Sequence, residues 1–361
     1  GSKSFSGLGS RDPSRFKIKL KDDRKPRVSV SLNGVSGMVV PGARLPFGGE
    51  VEDDYAVGSA EILYTWKEDN SEREQFQGEL QLDGISDFIG RKQLPLDGAI
   101  ELAPLEIPVN SRLGIQFRAK DNDSVTGPKT GESTKILLRV VGEAELRTDL
   151  LRREKEQRQI LAEMIKKQDL LLTDTGALAA ECREIKALDP SQRERVVALQ
   201  KRQKLLGSNL TPIVSRLNGM VQEIVNNRLE EEDGVLKARL SEKVIAPLAS
   251  LLKGAMPAAA VGLDSVRRAA DLEQRNASFV SVEAAQRNVI AIMREVLVHM
   301  VRNEGYQQAV NLLYEIQRAQ ERMRLMTKKA KEESLKKVLR DKNDPDPKGE
   351  SSRDEPPGSS R

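Results

Sequence analysis

Between residues 28 and 141 apolar and polar side chains alternate with a period of two. Val28, Val30 and Leu32 alternate with Ser29 and Ser31, and Ala60, Ile62, Tyr64 and Trp66 alternate with Glu61, Leu63 and Thr65. Leu113, Ile115, Phe117 and Ala119 keep the same rhythm, as do Ile136, Leu138 and Val140. That alternation sends one set of side chains to a core face and the other to water. Turn signals punctuate it at Asn33-Gly34, Pro41-Gly42, Glu68-Asp69-Asn70, Asp83-Gly84, Asp97-Gly98 and Thr126-Gly127-Pro128. About seven short strands so spaced predict an immunoglobulin-like antiparallel β-sandwich over 27–142, with Trp66 as its core anchor.

At Gly142 the period changes to that of a helix. Residues 143–173 hold strong helix formers without Pro or Gly; the polar run Arg152–Arg158 predicts an exposed helix leaving the sandwich. A second helix is expected over 176–188, and Asp189-Pro190 supplies an N-cap followed by Pro at the first helical position. Val196, Leu199, Gln203, Leu206, Leu210, Ile213, Leu217, Met220 and Ile224 then recur at steps of three and four, the a and d spacing of a packed seam. Gly207, Pro212 and Gly219 interrupt it, and Pro212 predicts a kink or division. Further helices are expected over 234–253, 258–276, 282–302 and 306–340. The last carries a seam at Tyr306, Val310, Leu313, Gln317, Gln320, Met323, Thr327 and Ala330. The region 143–340 thus reads as an all-α helical bundle or coiled-coil-like array. Residues 1–26 read as a linker, with a strand at 16–20, and 341–361 as a disordered tail.

Composition narrows the function classes. The 59 basic and 55 acidic residues among 361 leave a formal charge of +4, dispersed rather than gathered into the stripe that nucleic acid requires. No nucleic-acid partner is expected. Cys182 is the single cysteine, so no intrachain disulfide forms. No apolar run approaches the ~20 residues of a membrane span. The opening Gly1-Ser2, without Met, predicts a piece of a longer protein.

Catalytic chemistry is poorly served. Nucleophilic triads need an imidazole base, and the one histidine, His299, lies in an apolar helical context. Phosphate-cradling glycine loops are missing. The chain is expected to be no enzyme and to need no resident cofactor. One constellation is sharper: Asp53 and Asp54 precede a strand, and Asp121 and Asp123 follow another. If both loops share a pole of the sandwich, their oxygens form the ligand set calcium prefers. The reading that outweighs it is that these residues serve side-chain-to-backbone turns. Lys328-Lys329-Ala330-Lys331 and Lys336-Lys337 suit anionic lipid or a solvated helix end.

The stretches Glu52-Asp53-Asp54-Tyr55-Ala56-Val57, Phe117-Arg118-Ala119-Lys120-Asp121-Asn122-Asp123, Thr126-Gly127-Pro128, Gly131-Glu132-Ser133 and Leu138-Arg139-Val140-Val141 carry a resemblance. So do Leu151-Arg152-Arg153-Glu154 and Glu315-Ile316-Gln317-Arg318-Ala319-Gln320. Together they are similar to membrane-anchored proteins of planctomycete-type bacteria, loosely related to the domain of unknown function 4175 family; Ala56 stands where Gly is expected. The resemblance implies a cell-envelope, extracytoplasmic location and a membrane anchor upstream. The function expected is structural or protein-interacting, through a protein partner or self-association of the helices. The alternative is a calcium- or carbohydrate-binding sandwich on a helical stalk. The seam Val196, Leu199, Leu206, Leu210, Ile213, Leu217, Met220 and Ile224 then serves either assembly or an internal core.

Overall fold

A computed structural model describes residues 23–69, 76–82, 89–229 and 235–341. The expected strand at 16–20, most of the expected linker and the tail after Asp341 lie outside these residues, as does the Asp83-Gly84 turn. The β region holds β1 (Arg27–Leu32), β2 (Met38–Val39), β3 (Arg44–Glu52), β4 (Val57–Glu68), β5 (Phe76–Gln81), β6 (Gln93–Glu101), β7 (Ser111–Asp121), β8 (Thr130–Glu132) and β9 (Ile136–Val140). They form two sheets. One is antiparallel in the order β1-β3-β6; the other runs β2-β9-β7-β4-β5, with β8 beside β7.

The second sheet departs from the all-antiparallel expectation, because β2 pairs with β9 in parallel. A tight hairpin would force antiparallel neighbours; β2 instead follows β1, which belongs to the other sheet, so no hairpin joins it to β9. The alternating apolar set points inward as expected: Ala60, Ile62, Leu113, Ile115, Phe117, Ala119, Leu138 and Val140 are all buried. Across the sheets the rings of Phe47 and Phe117 meet with centroids 4.9 Å apart. Trp66 is only partly buried and stacks on Phe76 at 5.5 Å, so the aromatic core pair is Phe47–Phe117 and Trp66 sits at the margin.

The helical region contains α1 (Glu143–Glu181), α2 (Pro190–Asn226), α3 (Val235–Ala238), a π-helical stretch (Arg239–Ile245), α4 (Ala246–Lys253), α5 (Ala255–Arg268) and α6 (Leu272–Asp341). The expected helix ending at 173 and the next starting at 176 are one. α1 is continuous, and its polar run is not wholly exposed, since Glu154 and Gln157 are buried. Leu146, Leu150, Leu161, Met164, Leu171 and Leu178 are buried too, so α1 carries a heptad-spaced seam whose gaps are filled by polar side chains. α2 begins as expected: the Asp189 carboxylate accepts from Gln192 N at 2.8 Å, and Gln192 Oε1 accepts from Asp189 N at 3.1 Å. Pro212 does not divide it. Pro212 and Ser208 lie on the exposed face, so the carbonyl that loses its donor faces water while Leu210 and Ile213 stay in the seam. Gly305, expected as a boundary, lies inside α6.

The stretch Leu236–Arg268 is long and apolar enough by length and composition to cross a membrane, which corrects the expectation that no such run exists. Lys253, Gly254 and two prolines conceal it in the sequence. In this fold it is not one α-helix: a π-helical stretch interrupts it at Arg239–Ile245 and Gly254 breaks it. Leu248, Leu251, Met256, Leu263 and Val266 are buried.

By its contacts the chain divides into two compact units, Gly1–Met300 and Val301–Arg361. Within the first unit one apolar cluster runs from Val39 through the sheets and helices to Met300. The end of α2 is fastened to the β region. Asn226 Nδ2 donates to the carbonyls of Asn33 (3.0 Å) and Gly34 (2.7 Å), and Asn227 Oδ1 accepts from Val40 N at 2.9 Å. Gly34 has φ +62°, and a Cβ there would lie 2.5 Å from Gln222 Cβ, so this turn requires glycine both for its conformation and for the approach of α2. Arg228 adds an ion pair to Glu101 at 2.7 Å.

Candidate functional site

The two aspartate loops do meet. Val57 pairs with Asp121 across β4 and β7, and Asn122 N donates to Ala56 O at 3.1 Å. A Cβ on Gly58 would lie 2.5 Å from Asp121 O, so the loops close only because this residue has no side chain. At least one oxygen of each carboxylate is engaged, whereas among the described residues Asp23 Oδ1, Asp53 Oδ1 and Asp121 Oδ2 are buried with no hydrogen-bond partner. Asp53 Oδ2 accepts from Tyr55 N (2.9 Å) and Ala56 N (2.7 Å). Asp54 Oδ1 accepts from Arg24 N at 3.3 Å. Asp121 Oδ1 takes the N–H groups of Asp123 (3.1 Å) and Lys129 (2.9 Å). Asp123 Oδ1 takes those of Val125 (2.7 Å) and Thr126 (3.1 Å), and its Oδ2 accepts from the Thr126 hydroxyl. Those at Asp53, Asp121 and Asp123 are turn- and loop-closing bonds of the kind Asp makes with nearby backbone, while the Asp54 bond reaches Arg24, thirty residues away.

The positive charge at this pole comes from Lys129. Its ammonium is paired with Asp23, lies 3.2 Å from Asp123 Oδ2 and 4.0 Å from Asp121 Oδ2. Asp121 is almost wholly buried, so a nearby cation offsets the cost of keeping its charge out of water. Among the described residues no group of three or more His, Cys, Asp or Glu side chains is placed to hold a metal ion. Asp53, Asp54, Asp121 and Asp123 share the pole as the sequence suggested, while Asp23 and Lys129 complete it without a sequence signal beyond their charge.

The hydroxyl of Thr126, the N–H groups of Val125 and Thr126, and Lys129 hold the Asp123 carboxyl well below its ordinary 3.8. Asp23, then Asp123, push the Lys129 ammonium up to about 12. A depressed carboxyl contributes stability above its unfolded value and loses it as pH falls; a raised ammonium contributes fully below 10.5 and loses it as pH rises through about 12. The pole is therefore expected to weaken in acid and to hold at moderately alkaline pH. Melting temperatures recorded from about pH 6 to about pH 3 should fall less steeply in Asp123→Asn than in the wild type. An equal slope in the two proteins would refute the assignment.

Beside Asp53, a cavity of about 840 Å³ is lined by Gly49, Glu50, Glu52, Arg91, Gln93 and Pro95, among others. Its lining mixes both signs of charge and includes none of the large hydrophobic or aromatic side chains usual in small-molecule pockets. At the β4–β5 edge, Phe76 is 48% exposed beside Tyr64 (6.0 Å) and Trp66. His299 is half-buried and Cys182 buried; desolvation pushes the Cys182 thiol up, away from the thiolate a nucleophile needs.

The predicted seam is interior. Val196, Leu199, Leu206, Leu210, Ile213, Leu217, Met220 and Ile224 are all buried within the single chain. α1 and α2 are also joined by ion pairs that periodicity does not reveal. Arg153 is bidentate to Glu223 at 2.8 and 2.6 Å, with Asp149 Oδ2 2.8 Å from its Nε. Arg239, opening the π-helical stretch, is bidentate to Glu154 at 3.1 Å for both bonds. The signal available was a charge at an otherwise apolar spacing.

No family model matches the chain, and no curated protein matches it. Among solved structures, the sporulation control protein Spo0M from Bacillus subtilis is similar over 37% of this chain and 55% of that chain, at 9% identity and a TM-score of 0.24. A superposition that loose bears on neither fold nor function.

Proposed function

We propose that the chain is a non-enzymatic scaffolding protein of the cell envelope, in which an immunoglobulin-like β-sandwich and a helical bundle form one body and the later part of α6 makes the assembly contact. One observation carries this reading. Beyond Met300, α6 continues to Asp341 in a compact unit separate from the first, and Met323, Leu325 and Met326 are 60%, 57% and 69% exposed. Helices in water draw most of their stability from packing an apolar face, and large exposed apolar side chains grouped together mark interaction surfaces. The α2 seam residues are buried within the chain, which favours a contact elsewhere. A second copy of the chain is the occupant we favour. The envelope location and an upstream membrane anchor rest on the resemblance to the membrane-anchored proteins.

The alternative, a calcium- or carbohydrate-binding module, draws on the carboxylate pole and on the Tyr64–Trp66–Phe76 edge. It is less favoured, since Lys129 already supplies the charge a calcium ion would bring and Trp66 and Phe76 stack on each other. Light scattering on the full chain tests the main reading. The wild type is expected at twice the chain mass or more, and Met323→Glu/Met326→Glu at the mass of one chain. A wild-type monomer at all concentrations would end the self-association reading.

A further inference from the structure

The interior of the bundle contains a layer of amides that stability does not explain. Gln168 of α1, Gln203 of α2 and Gln286 of α6 are each fully buried, as is Thr175 of α1. Gln168 and Gln203 exchange two amide bonds, at 3.1 and 3.0 Å. Gln286 Nε2 donates to Gln203 Oε1 at 3.1 Å and to Thr175 Oγ1 at 3.3 Å, while the Thr175 hydroxyl donates to Leu171 O at 2.7 Å. Among the described residues Gln286 Oε1 has no hydrogen-bond partner. Replacing such a group by apolar side chains of similar shape is often neutral or favourable, whereas stranding one member is costly.

The positions of these amides say what they are for. The buried seam of α6 runs Phe279, Val282, Gln286, Val289, Met293, Val296 and Met300, in steps of three and four. From Phe279 to Met300, Gln286 is its one polar member. On α2, Gln203 is the one polar member of the seam between Val196 and Met220. Apolar heptads pack almost equally well when one helix slides by seven residues, about 10 Å at 1.5 Å per residue. After such a slide Phe279 or Met293 would face the Gln168–Gln203 pair, and Gln286 would be buried against apolar neighbours. A single polar residue in an apolar seam is a known way to fix register at a cost in stability.

We infer that the Gln168–Gln203–Gln286 layer fixes the axial register of α6 against α1 and α2. This inference does not depend on the assembly reading above.

Cysteine trapping tests it in the full chain, in a Cys182→Ala background with a short bis-maleimide cross-linker. Asp169 of α1 and Arg294 of α6 lie opposite each other, with Arg294 Nη2 2.8 Å from Asp169 Oδ2. The pair Asp169→Cys/Arg294→Cys should therefore be joined by a reagent whose span matches the arginine side chain it replaces. The pairs one heptad away, Asp169→Cys with Arg287→Cys or with Val301→Cys, should trail it by about tenfold or more, since each stranded buried amide weighs at least that much. In Gln168→Met/Gln203→Met/Gln286→Met an off-register pair should rise towards the in-register yield. Cross-linking that stays confined to 169–294 in the triple variant would overturn the inference. Melting temperature gives a second reading. Gln203→Met alone strands both other amides and should melt below the triple variant; a triple variant that melts lower, or does not fold, would overturn the inference too.

Discussion

Truncating Leu217 to alanine is expected to cost the first unit about 2–5 kcal/mol of stability while leaving the mass of the protein in solution unchanged. Leu217 is wholly buried in the second half of the α2 seam, so its removal opens a cavity that surrounding side chains only partly close. The same substitution separates the two meanings of a heptad seam. If these residues joined two chains, Leu217→Ala would lower the mass of the assembly and spare the folded chain. Chemical denaturation followed by circular dichroism, beside light scattering on the same samples, reads both quantities. A lost assembly with an unchanged denaturation midpoint would show that the seam faces another molecule.

The second large effect is expected at Arg153. Its guanidinium holds Glu223 through two bonds and reaches Asp149 as well, and the Glu223 carboxylate beside it pushes the guanidinium further up. Glu223 is buried where α1 and α2 meet. Arg153→Met leaves that carboxylate without its counter-charge and should cost about 3–5 kcal/mol at neutral pH. Replacing both partners, as Arg153→Met/Glu223→Met, should recover most of the loss, because the penalty lies in the stranded charge rather than in the missing attraction. A double variant as unstable as the single one would show that Arg153 acts through its packed stem instead. Thermal or denaturant melts of the two variants decide between these outcomes.

These sites show where the sequence was legible. The seam of α2 could be read because eight of its nine members are apolar, and one Gln does not hide a rhythm of three and four. α1 has the same rhythm, but Glu154, Gln157, Gln168 and Thr175 stand at buried positions. Glu154, Gln168 and Thr175 find partners distant in sequence or in their own helix, and Gln157 Oε1 has none among the described residues; periodicity registers neither case. Pro212 and Gly305 were read as boundaries because local propensity disfavours them, yet tertiary packing carries a helix through a proline on its wet face. In the β region, alternation identified the core face of β4 and β7, and the shared pole of Asp53 and Asp121 followed from strand direction. Lys129 was not legible, because an ammonium six residues beyond Asp123 looks like any solvated charge until the loop folds back. The attachment of Asn226 and Asn227 to Asn33, Gly34 and Val40 joins residues almost two hundred positions apart, and nothing local announces it.

That attachment bears on how such a chain can be inherited. A β region and a helical region that meet only through a linker can be shuffled by recombination, each entering new proteins alone. Here the carbonyls of Asn33 and Gly34 and the amide of Val40 find their partners on α2, and the apolar cluster crosses the same border. A transplanted β region would lose those partners and uncover oily surface. The two halves therefore form one heritable cassette, and a substitution on the turn at Gly34 needs a matching change on α2 at Gln222.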